Sequence, residues 1–122
     1  MNAIIVRAVS EFTVAVAKFA GDLLAHPNAA HTKTTFAEAS KALEKFSNYH
    51  EFRDTAHFSA EERHLYEGAE TLSVMLAACA IAMSGNPAQA VNVAKSMNAL
   101  AKTIVGALPR EAGIAAREEV IS

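Results

Sequence analysis

Ile5, Val9, Phe12, Val16, Phe19 and Leu23 stand alternately four and three residues apart. A helix of 3.6 residues per turn gathers all six on one stripe, whereas a strand, with its period of two, scatters them over both faces. Arg7, Glu11 and Lys18 fall off that stripe, so the spacing predicts an amphipathic helix from Asn2 to Ala25. Pro27 stops it, because the residue before a proline is pushed out of helical geometry.

Helical spacing returns three times. Phe36, Ala39, Leu43, Phe46 and Tyr49 mark a second helix, whose end falls between Ser47 and Thr55. Leu65, Ala69, Leu72, Leu76, Cys79 and Met83 mark a third, and Ala90, Ala94, Met97, Ala101, Ile104 and Leu108 a fourth. Thr35-Phe36-Ala37-Glu38 and Ser59-Ala60-Glu61-Glu62 read as capping boxes opening the second and third helices. Between the third and fourth, Ser84-Gly85-Asn86-Pro87 reads as a tight hairpin turn. Gly85 is expected in the left-handed conformation, Asn86 as the next cap and Pro87 in the first turn. Pro109 closes the fourth helix, and the tail Arg110–Ser122 is expected to hold one short amphipathic turn around Ile114, Val120 and Ile121. No segment alternates with period two. The reading is all-α: a single domain over residues 1–122, built as a small up-and-down bundle of about four helices plus a short C-terminal segment. Val74, Ala78 and Ile81 make the third helix apolar nearly all round. It is therefore expected to be the central helix, or one whose second face another subunit covers.

Composition narrows the function classes. A chain of 122 residues buries one continuous core without a disulfide or structural metal. The single cysteine, Cys79, excludes an intramolecular disulfide and a cysteine-based zinc site, and its apolar surroundings mark it as a buried, inert thiol. The 11 basic and 13 acidic side chains are interspersed and form no basic stripe, so nucleic-acid binding by charge alone is not expected. Arg7, Glu11 and Lys18 interrupt any signal-peptide core, and the apolar run around Val74–Met83 is shorter than the ~20 residues a spanning helix needs. The expectation is a cytoplasmic protein with no membrane partner and no cofactor.

Chemical capacity concentrates in one place. Five of the eight Phe and Tyr residues and three of the five His lie between Phe46 and Tyr66. A junction that rich in His, Arg, carboxylate and aromatic groups is the natural candidate site, with Tyr49, His50, Phe52, Arg53, His57, Phe58 and His64 as its binding residues. His50, Asp54, His57, Glu61 and His64 would share a face on one unbroken helix and could then hold a transition metal. The capping box at Ser59 breaks such a helix, so no metal site is expected. Ala56-His57 matches only the start of a histidine-phosphotransfer motif.

Arg53-Asp54-Thr55-Ala56-His57, followed by a helix opening at Phe58-Ser59-Ala60-Glu61-Glu62, resembles the signature of the HEPN superfamily of helical ribonucleases and their inactive relatives. The resemblance covers about 30 residues. It implies that Arg53 stabilises charge developing on a phosphorane and that His57 transfers a proton, in a site assembled across a dimer. Against it stands the plainer reading, in which Phe46, Tyr49, Phe52 and Phe58 close the end of the bundle and the histidines lie at the surface. No complete catalytic constellation is present. The leading expectation is a non-catalytic interaction protein that self-associates, most simply as a dimer, with Val74, Met75 and Ile81 at the interface and the Phe46–Tyr66 junction as a binding surface.

Overall fold

The computed structural model describes residues 1–121. Five helices account for most of them: α1 Ala3–Ala25, α2 Ala30–Ser47, α3 Ala60–Gly85, α4 Pro87–Ala107 and α5 Arg110–Ile121. No strand occurs among the described residues. The chain is all-α, as the periodicity predicts, and the C-terminal segment is a full helix of 12 residues rather than a single turn. Ile114 and Val120 are exposed on it; Ser122 and the side chain of Ile121 lie outside the described part of the structure.

Helix α1 is the axis of the molecule and packs against each of the other four. Its predicted stripe is buried, and so are Ala8, Thr13, Val14, Ala17 and Ala20 beside it. Those small and β-branched residues make α1 apolar on several sides and let neighbours approach closely. This corrects the first of the two alternatives expected for α3, that it is the central helix. The outer residues of α3 are apolar without being covered, and apolar composition does not by itself place a residue inside. Helices α1, α3 and α4 pack mutually, α2 lies chiefly against α1, and α5 fits beside α1 and α4. The seams of α3 and α4 are buried as spaced, from Leu65 to Cys79 and from Ala90 to Ile104.

Polar ties fix the ends. Asn2 caps α1 by accepting from the Ile4 N–H at 2.8 Å, while its own backbone N–H donates to the Glu62 carboxylate at 2.6 Å. The starts of α1 and α3 are thereby held side by side. Glu62 also accepts from the Ser59 N–H at 2.8 Å, and Ser59 Oγ accepts from the Glu62 N–H at 3.1 Å, completing the expected capping box. At the far end, Thr35 Oγ1 donates to Asp22 of α1 at 2.9 Å, and His31 Nε2 lies 3.1 Å from the same oxygen.

Two turn expectations are corrected. Thr35 opens no capping box, because α2 already begins at Ala30 and the Thr35 hydroxyl is committed to α1. The shared apolar and polar contacts with α1 go with a helix that starts more than one and a half turns earlier than its caps suggest. Gly85 does not take a positive φ; it is the last helical residue of α3. Asn86 makes the turn unaided: its non-helical backbone (φ −146°, ψ 86°) breaks the helix, its N–H closes α3 on Ala82 O at 2.7 Å, and its side chain caps α4 through the Gln89 N–H at 3.2 Å. Pro87 sits in the first turn of α4, as expected.

Candidate functional site

The junction from Ser47 to Ser59 is built on aromatic packing. α2 ends at Ser47, and two single 3-10 turns, His50–Phe52 and Thr55–His57, carry the chain across to α3. Phe46 is the buried anchor. Only 5% exposed, its ring lies 5.1 Å from that of Phe12, 4.8 Å from Phe52 and 6.0 Å from Tyr66, centroid to centroid. Phe52 in turn meets Tyr49 at 5.7 Å, Phe58 at 6.1 Å and Tyr66 at 4.8 Å. Offset and edge contacts at these separations are the favoured aromatic geometries. Half-buried Tyr49, Phe52 and Phe58 therefore spend their apolar faces on one another and close this end of the bundle. Burial raises the pKa of the Tyr66 hydroxyl, and the neighbouring Glu70 carboxylate adds to the shift.

The polar members turn outward. His50, Arg53, His57 and His64 are all exposed. Asp54 caps the second turn, its Oδ1 accepting from the Ala56 N–H at 3.0 Å, and its other oxygen lies 3.4 Å from His57 Nε2. Arg63 reaches back from α3 and donates to the Thr55 carbonyl at 2.9 Å, tying the turn to the helix. Nothing in the spacing of Arg63 announces that role. His64 does not join the others: it lines a shallow groove of about 210 Å³ between α3 and α4, with Leu100, Thr103 and Ile104. The row His50, Asp54, His57, Glu61, His64 is broken by the two turns and the capping box. No group of three metal-ligating side chains comes together among the described residues.

The ionised groups with shifted pKa values serve the scaffold. The Glu62 carboxylate is held below the ordinary range by hydrogen bonds from the backbone of Ser59 and then of Asn2. Glu11 is lowered chiefly by the Lys45 ammonium at 2.9 Å, with Arg7 at 3.0 Å contributing. These two carboxylates, with Asp22, stitch α1 to α2 and α3; sequence spacing gives no sign of their partners on other helices, which lie far away in the chain. Burial raises the pKa of the Cys79 thiol, which leaves it protonated and fully enclosed.

A second surface stands out for its lack of charge. Between Thr71 and Gly85, α3 carries no ionisable side chain except the buried Cys79. Val74 is 69% and Ile81 76% exposed, and Ala77 and Ala78 between them are exposed as well. Met75 is half-buried and packs on the core. By length and composition α3 is apolar enough to cross a membrane, which corrects the expectation drawn from its uninterrupted apolar run. Its inner seam is nonetheless packed against α1 and α4, leaving one apolar stripe outside.

No protein-family model, curated protein or solved structure matches the chain.

Proposed function

We propose that this chain is a non-catalytic interaction protein that works as a homodimer, joined through the outer face of α3. The observation that carries the reading is the stripe Val74, Ala77, Ala78 and Ile81: apolar, exposed and set in a stretch of helix without a charged side chain. Leaving such a stripe in water costs free energy that covering it recovers, at roughly 25 cal/mol per Å² of apolar surface. Small residues at its centre let a second helix approach closely. The exposed groups of the Phe46–Tyr66 junction, Arg53 and His57 foremost, then remain free for a further partner at the foot of each protomer.

Sedimentation equilibrium at tens of micromolar tests the reading. Wild type is expected as a dimer, and Val74→Glu and Ile81→Glu as folded monomers with unchanged helical circular dichroism. A monomeric wild type would overturn the proposal.

A further inference from the structure

The exposed positions of α3 repeat when read backwards. Glu70 and Thr71, then Val74, then Ala77 and Ala78, then Ile81, then Ser84 and Gly85 form the outer face. A point midway between Ala77 and Ala78 relates Val74 to Ile81, Thr71 to Ser84 and Glu70 to Gly85. The chemistry repeats over the inner positions, where one β-branched aliphatic faces another, a hydroxyl faces a hydroxyl, and alanine faces alanine; at the ends Glu70 faces Gly85. Under a two-fold axis perpendicular to the helix, each of these positions meets its counterpart on a second copy, apolar on apolar along the middle of the stripe, which is the pairing an isologous interface makes.

Resting on the dimer proposed above, we infer that two copies of α3 pack antiparallel, with the two-fold axis at Ala77/Ala78. Val74 of each protomer then lies on Ile81 of the other, and the alanines let the helices come together to the short end of the usual 8–10 Å separation. The sixteen residues from Glu70 to Gly85 span about 24 Å at 1.5 Å per residue, enough for four turns of contact on each side.

Charge selects this direction over the parallel one. In a parallel pair Glu67 and Glu70 meet their own copies, and like charges at that spacing repel. In the antiparallel pair Glu70 arrives opposite Gly85, beside the first turn of α4, which starts at Pro87. The free N–H groups and dipole of a helix N-terminus favour a carboxylate there. The single hairpin residue Asn86 is what brings the start of α4 so close to the end of α3.

Cysteine pairing reads the register directly. In a Cys79→Ala background, Val74→Cys protein mixed with Ile81→Cys protein is expected to give a mixed disulfide under mild oxidation, and neither variant alone a homodisulfide. The reason is distance: like positions stand seven residues or about 10 Å apart along the axis, beyond the Cα separation of about 4–7 Å that a disulfide spans. A second variant, read by sedimentation equilibrium, does not depend on cysteine chemistry. Glu70→Gln is expected to weaken the dimer by roughly threefold to thirtyfold, since two helix-terminus contacts are lost per dimer; in a parallel pair it would tighten the dimer by removing repulsion. Homodisulfides of either variant, or a tighter Glu70→Gln dimer, would overturn the antiparallel register while leaving self-association standing. A wild-type monomer that floats with phosphatidylcholine vesicles would overturn both, by showing that lipid and not a second copy covers the stripe.

Discussion

Glu62 ties the start of α1 to the start of α3, and its position explains how. One carboxylate oxygen accepts from the N–H of Ser59 and the other from the N–H of Asn2, 60 positions away. Its folded pKa is lowered below the ordinary value of 4.5, so the stabilisation is complete above that value and is lost as pH falls through the lowered folded pKa. Glu62→Gln keeps the shape but cannot accept at both sites. It is expected to lower the melting temperature at pH 7, and the gap to wild type should narrow at an acidic pH below 4.5, as the native carboxylate gives up its charge. Thermal melts at the two pH values measure it. The junction residues divide along a different line. Phe46→Ala removes the buried anchor of the aromatic cluster and should cost about 3–5 kcal/mol in chemical denaturation. Arg53→Ala and His57→Ala remove exposed side chains and should change stability by less than about 0.5 kcal/mol. A partner captured through this junction would be lost with Arg53→Ala or His57→Ala while the melting curve stays in place.

Among the elements, the helices themselves are legible because period, not propensity, carries the information. Every stripe at helical spacing forms a helix, with only its last members Tyr49 and Leu108 falling past the ends of α2 and α4, and the capping box at Ser59 and the cap at Asn86 form as their side chains require. The boundaries that local chemistry misplaces have separate causes. Thr35 and Gly85 both suit a helix end, yet each is helical in the fold. Thr35 is held by Asp22, a residue on another helix that no nearby spacing relates to it. Gly85 has ordinary helical geometry, and a Cβ added there meets nothing within 4 Å, so nothing in the fold requires a glycine at that position. A glycine in that situation only enlarges the entropy of the unfolded chain. Gly85→Ala is therefore expected to stabilise the protein by about 0.4–1 kcal/mol, the opposite of what a left-handed glycine would show. Asn86→Ala, which strips the cap from α4, should cost about 0.5–2 kcal/mol. Denaturant midpoints of the two variants should fall on opposite sides of wild type.

At the scale of the whole molecule, the sequence shows that α3 is apolar on two faces but does not say which other helix is enclosed. That depends on how many neighbours each helix meets, and α1 meets four. The small residues between its stripe positions, Ala8, Ala17 and Ala20, are what admit them, and they are as legible as the stripe once packing on several sides is considered. With α1 at the centre, α3 is left at the edge with Val74 and Ile81 in water. The proposed dimer couples that exposure to stability. If only folded chains associate, mass action stabilises the native state by an amount that grows with protein concentration. The melting temperature of wild type should therefore rise between micromolar and hundreds of micromolar protein, while that of Val74→Glu should not move. The two proteins should converge at low concentration, where wild type dissociates, because position 74 contributes little to the core of a single protomer. A concentration-independent wild type, or a Val74→Glu variant already destabilised in the dilute limit, would place Val74 inside the fold of one chain and remove the case for a second.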